Sequence, residues 1–203
     1  MPPAIKAKAS FDDTHRSIFR TRAALRRRGQ SDLLPQTDGW AAPIEGLRTQ
    51  LLSNLEQRMD TDEERAVASE DLATLAETIS DALLKEVGKD RTDPRYTAHF
   101  AQPPSELAGL GLGQRITIMK SWIASADPVV VPFRDALRTA TTAAQTALDN
   151  TAANVQATAA LDQARRDYAA QLTAWRDELF EVLSKRAREL KKGRKWAGKF
   201  FRA

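Results

Sequence analysis

Two segments of the chain carry the residue types best suited to binding an anionic partner. The first, RTRAALRRRG, is rich in arginine, and its candidate contact residues are Arg22, Arg26, Arg27 and Arg28. The second, RARELKKGRKWAGKFFRA, interleaves cations with aromatic rings, and its candidates are Lys191, Lys192, Arg194, Lys195, Trp196, Lys199, Phe200 and Phe201. Aromatic rings among cations can stack nucleobases while the cations neutralise phosphate. This pattern predicts a nucleic-acid contact or a contact with another acidic surface.

Other interpretations of the second segment remain open. Its composition also suits an anionic bilayer, but Gly193 and Gly198 interrupt the helix that such binding needs, so a membrane surface is disfavoured. An acidic protein patch, including that of a second copy, is a further partner that suits these charges. Alternatively, the segment is a solvated tail whose aromatic rings pack back onto the fold. Sequence-specific DNA reading is not expected, because no recognition-helix pattern follows the N-terminal arginines.

The sequence contains few residues that are suited to catalysis or to metal binding. The chain has no Cys, which excludes thiolate nucleophiles, disulfides and Cys-based metal sites, and it has two histidines. Asp12 precedes His15 by three residues, whereas a di-iron bundle site needs two Glu-x-x-His pairs. The GLGLGQ run fails the dinucleotide pattern, because Gln114 occupies the last glycine position and no strand precedes it. We therefore expect no catalytic residue, no cofactor and no metal.

An enzymatic alternative stays open for one small group. Arg95, Tyr96 and His99 fall near the end of a short predicted helix, where they could serve a ligand-binding or catalytic bundle.

The net charge of +4 conceals a strong asymmetry along the 203 residues. Residues 1–30 carry a net +6 and residues 185–203 a net +8, which leaves −10 for residues 31–184. Such a distribution bears on partners and solubility more than on the fold. Basic ends that meet the acidic body of another copy would make head-to-tail contacts, which build rings or filaments.

The elements that position these residues are all predicted to be helices. Ser10 followed by Asp13 is typical of a helix start, and apolar residues recur every seven positions from Phe11 to Leu25. This predicts a basic amphipathic helix over 11–28, followed by a polar loop to about residue 42. Further helices are predicted over 43–87, around 96–100 and over 114–125. Within the first of these, a capping-box pattern at residues 61–64 favours a kink or a restart.

The last element is the longest. Residues 133–192 contain no Gly and no Pro over 60 positions, and their apolar residues mostly recur at steps of three, four or seven. Unbroken, this helix would be about 90 Å long at about 1.5 Å per residue. Asp149-Asn150 is the best place for a turn, but a turn usually carries Gly or Pro, so continuity is favoured.

These elements predict an all-α fold: an elongated antiparallel bundle of about four helices with one very long C-terminal helix. The predicted division is a basic N-terminal helix and loop (1–42), a helical bundle (43–190) and a basic aromatic tail (191–203). The predicted core contains Leu75, Ile79, Leu83, Tyr168, Leu172, Trp175 and Leu179. With neither a membrane-span pattern nor a secretory signal, a cytoplasmic location is expected.

The leading functional hypothesis is a non-enzymatic structural or interaction protein that self-assembles or scaffolds a protein partner. The alternatives are a nucleic-acid-binding accessory protein that uses the basic segments, and a small ligand-binding or enzymatic bundle.

Overall fold

The computed structural model describes residue 2 and residues 10–193 and 195–201. Within these residues the chain forms helices and turns with no β-strand, which confirms the all-α prediction. The α-helices are α1 (Phe11–Arg27), α2 (Ala42–Glu86), α3 (Pro94–Thr97), α4 (Pro104–Gly109), α5 (Leu112–Ile123) and α6 (Arg134–Glu189). Short 3-10 turns occupy Ser31–Thr37, Val131–Phe133 and Ala197–Phe200.

The chain folds into two compact units, each with its own apolar core. Unit 1 comprises residues 1–54 and 157–203, and unit 2 comprises residues 55–156. The boundaries fall inside α2 and α6, so the compact units differ from the three segments drawn from the sequence. Both basic segments belong to unit 1, which the sequence pattern did not predict.

Helix α1 begins and ends where its sequence indicates. The Ser10 Oγ accepts a hydrogen bond from the Asp13 backbone N–H at 3.0 Å, as expected of a helix N-cap. The helix buries Ile18 and Leu25 on one face. Gly29 follows with a φ of +69°, a conformation that glycine adopts without the strain a Cβ would cause.

The core of unit 1 draws on distant parts of the chain. Its buried apolar residues are Ile18, Leu25, Leu33, Trp40, Ile44, Tyr168, Leu172, Leu179, Leu183, Ala197, Phe200 and Phe201. The segment after α1, predicted as a polar loop, forms a 3-10 turn that buries Leu33. Three predicted core residues of this unit are buried, and the fourth, Trp175, is half-buried and stacks on Trp40 with ring centroids 6.1 Å apart.

Helix α2 is continuous through residues 61–64, so the helix does not restart at the capping-box pattern. The Thr61 hydroxyl donates to the Gln57 carbonyl oxygen at 2.8 Å, a bond that threonine makes inside a helix. It also accepts a bond from the Asn154 side-chain amide of α6 at 2.7 Å. The hydroxyl is thus engaged within α2 and with α6 instead of capping a new helix. Helix α6 runs unbroken through Asp149 and Asn150, as favoured from its sequence.

Unit 2 packs the short helices α3 to α5 with its parts of α2 and α6. Ile79 and Leu83 are fully buried as predicted, whereas Leu75 is half-buried. Arg115 of α5 is 6% exposed and donates to the Ser69 carbonyl oxygen of α2 at 2.9 Å and to its hydroxyl. Burial lowers the pKa of Arg115, but arginine stays charged in proteins, so these bonds are needed to offset its desolvation.

Candidate functional site

Charge is divided unequally between the two units. Unit 1 contains 21 Lys and Arg against 11 Asp and Glu, a net +10. Unit 2 contains 10 Lys and Arg against 16 Asp and Glu, a net −6. The two basic ends of the sequence therefore form one basic unit, and the acidic residues of the middle concentrate in the other.

Two arginines of α1 and the arginine that directly follows the helix line a shallow cavity of about 590 Å³ on unit 1. These residues, the arginine cluster, are Arg20, Arg27 and Arg28, with Ala23 and Ala24 between them. In the part of the chain that the structure describes, none of the three forms an ion pair with a carboxylate. Their charges are thus available to an external anion.

The second basic segment lies against the end of α1. The Arg28 guanidinium lies over the Phe200 ring, 5.7 Å from its centroid. Phe200 belongs to the turn Ala197–Phe200, and Lys195 and Lys199 beside it are exposed. The fold therefore brings the two segments that the sequence analysis singled out into one neighbourhood.

The aromatic residues of that turn are packing residues. Phe200 and Phe201 are each 1% exposed, and Trp196 is half-buried with its ring edge-on to Phe200, centroids 4.9 Å apart. Arg176 is 4% exposed, donates to the Phe201 carbonyl oxygen at 3.3 Å and lies over the Phe201 ring. In this conformation the two phenylalanine rings are closed to nucleobases. The observed arrangement is the alternative one, in which the rings pack back onto the fold.

The remaining candidates have different environments. Arg22 is half-buried, donates to the Thr37 carbonyl oxygen at 3.0 Å and contacts the Asp38 carboxylate at 2.9 Å, which fastens the 3-10 turn to α1. Arg26, Lys191 and Lys192 are exposed. Arg194 lies outside the described residues.

The three residues of the enzymatic alternative engage separate partners. Tyr96 is buried, and its hydroxyl pairs with that of Ser80. His99 Nδ1 lies 3.1 Å from the Arg95 carbonyl oxygen, which only accepts, so Nδ1 donates this bond, and His99 Nε2 lies 2.8 Å from the Ser125 hydroxyl oxygen. The contact between His99 and Ser125 joins the segment directly after α3 to the loop after α5.

A salt bridge strengthens the same loop. The Arg95 guanidinium donates to both carboxylate oxygens of Asp127, at 3.0 and 3.1 Å, and these bonds hold the pKa of Asp127 below its ordinary value. Among the described residues, no group of three or more His, Asp or Glu side chains is placed to hold a metal ion. No helix of the described part is long and apolar enough to cross a membrane.

A groove of about 530 Å³ lies between α2 and α6 within unit 2 and was not predicted from the sequence. Its rim is acidic and consists of Asp60, Glu63, Glu64 and Asp71. Its floor is mostly apolar and consists of Val67, Ala68, Ala143, Thr146 and Ala147. We call this feature the acidic groove. The pairing of α2 with α6 brings the alanines beneath these carboxylates.

The chain matches no protein-family model, no curated protein sequence and no solved structure. Its function is therefore inferred from the side chains and their placement.

Proposed function

We propose that this is a non-enzymatic interaction protein that self-assembles, or scaffolds a protein partner, through surfaces of opposite charge. The observation that carries the proposal is the division of charge, +10 on unit 1 and −6 on unit 2. Complementary potentials steer two copies towards each other and set their register. The arginine cluster supports this role, because among the described residues none of its three side chains pairs with a carboxylate.

The proposal predicts a strong dependence on salt. Exposed ion pairs contribute about 0–1 kcal/mol each and are screened, since the Debye length falls from about 10 Å at 0.1 M to about 3 Å at 1 M salt. Assembly that relies on charge should therefore weaken as the salt concentration rises.

The test is the solution mass by light scattering at about 50 mM and about 500 mM NaCl. We expect assemblies at low salt that dissociate to the 22.5 kDa chain at high salt. The variant Arg20→Glu/Arg27→Glu should dissociate them at low salt too. Its matched control is Arg58→Glu/Arg65→Glu, which changes the net charge equally but makes the acidic unit more acidic. A 22.5 kDa mass for the unmodified chain under both conditions would refute self-assembly.

A second candidate function is nucleic-acid binding by the arginine cluster, and the grouping of three arginines around one cavity favours it. Phosphate contacts release counterions, so log K should fall with log salt by about 0.9 for each phosphate neutralised. Fluorescence anisotropy with a labelled duplex measures this slope, and the slope should be smaller for the variant Arg27→Gln/Arg28→Gln than for the unmodified chain. Substituting these arginines is preferable to deleting the basic C-terminal segment, because that deletion would also remove Phe200 and Phe201 from the core of unit 1. No binding by the unmodified chain at low salt would exclude this function.

A further inference from the structure

The side of α1 that unit 1 leaves uncovered is both basic and apolar. Phe19 is 51% exposed, although large apolar side chains are usually buried. The His15 and Phe19 rings meet edge-to-face, with their centroids 4.5 Å apart. The side chains around Phe19 recur at helical steps of three or four, opposite to Ile18 and Leu25. Between residues 16 and 27 this side of the helix, the α1 outer face, consists of Arg16, Phe19, Arg20, Ala23, Arg26 and Arg27, and Asp12 lies one further turn towards the N-terminus.

The acidic groove has the complementary character. Four carboxylates surround it, and its floor is formed mainly by alanines and by Val67, which is 49% exposed. Small residues let another helix approach closely, and a groove between two helices is a common receptor for an amphipathic helix. A nucleic acid is disfavoured here, because phosphates would meet the carboxylates of the rim.

We propose that the acidic groove of one copy binds the α1 outer face of a second copy. Phe19 packs on the apolar floor, and the arginines on either side of it pair with the carboxylates of the rim. This interface specifies the self-assembly proposed above and rests on it. Charge complementarity selects a second copy as the occupant: the same chain supplies an exposed aromatic ring among exposed arginines and an acid-rimmed apolar groove.

The two surfaces are different, so the contact is heterologous. A pair of copies joined this way leaves one groove and one α1 outer face unoccupied, and further copies can add. This property distinguishes the proposal from a two-fold symmetric dimer, in which association ends at two copies.

Two variants disable one surface each. Phe19→Asp places a carboxylate where the ring would meet the groove, and Ala143→Arg fills the groove with a bulky cation that repels the arginines. Both positions are exposed, so we expect both variants to fold. The matched controls are Leu190→Asp, at an apolar residue that is also 51% exposed, and Ala152→Arg, on the opposite side of α6.

The experiment measures assembly by sedimentation velocity of the full chain at about 50 mM NaCl. The dissociation constant for self-association of each variant alone should be at least about tenfold higher than that of the unmodified chain. Both controls should assemble like the unmodified chain. An equimolar mixture of the two variants should form a heterodimer and stop there, since each retains one intact surface.

Different failures have different meanings. If both variants assemble as the unmodified chain does, this interface is wrong while self-assembly stands. If their mixture stays monomeric, the head-to-tail pairing is overturned. If the unmodified chain itself is a monomer, the proposed function and this interface fail together.

Discussion

Replacing Phe200 with alanine tests whether the C-terminal turn is part of the unit 1 core. The ring is 1% exposed, packs edge-on to Trp196 and lies under the Arg28 guanidinium. Truncating a buried Phe to Ala costs about 3–5 kcal/mol of unfolding free energy, including about 0.5–1.5 for an aromatic pair. A short turn can also detach while α6 stays folded, which limits the loss. We therefore expect a decrease of about 2–4 kcal/mol.

The assay is urea unfolding at high salt, which removes any contribution from assembly. Tryptophan fluorescence is a suitable signal, because Trp40, Trp175 and Trp196 all belong to unit 1. The control is Phe19→Ala, whose ring is 51% exposed and whose loss should change the free energy of unfolding by no more than about 0.5 kcal/mol. A change of similar size for Phe200→Ala would refute the packing and reopen a nucleobase-stacking role for the turn.

Three further predictions concern single groups. Burial raises the pKa of Tyr168 from 10.0 to about 12, so the free energy of unfolding should fall as the pH rises through that interval, and Tyr168→Phe should remove this part of the fall. Hydrogen bonds from Arg95 lower the pKa of Asp127, so this carboxylate stabilises the fold at neutral pH and stops doing so as the pH falls through its lowered pKa. When the midpoint of urea unfolding is plotted against pH, Asp127→Asn should therefore reduce the decrease seen at acidic pH. Backbone hydrogen exchange at residues 60–64 should be as slow as in the parts of α2 on either side. Fast exchange there would indicate the free N–H groups of a restarted helix and would contradict the hydrogen bond from Thr61 to the Gln57 carbonyl oxygen.

The long helices could be predicted because their signals are local. The cap at Ser10 and the glycine at position 29 bracket α1, and the run without Gly or Pro specifies α6. Thr61 shows the limit of such signals. A threonine followed three residues later by a glutamate occurs at helix starts and inside helices alike, and here the Gln57 carbonyl and Asn154 engage the hydroxyl.

The candidate surfaces could be predicted only in part, because they depend on contacts between distant residues. The cations of both basic segments were identifiable from composition, but no local pattern indicates that Arg28 lies over Phe200. Burial of Phe200 and Phe201 likewise depends on α1 and α6, which contribute residues to the same core and are distant from them in the sequence. The acidic groove requires Val67 of α2 to lie beside Ala143 of α6, a pairing that periodicity alone does not specify.

Sedimentation equilibrium over a hundredfold range of protein concentration at low salt tests the central claim most directly. Self-assembly through unlike surfaces predicts a weight-average mass that rises with concentration from 22.5 kDa and continues past twice that value. The rise should disappear at about 500 mM NaCl. A mass that stays at 22.5 kDa across the range would contradict self-assembly, and a plateau at twice that mass would contradict the head-to-tail interface.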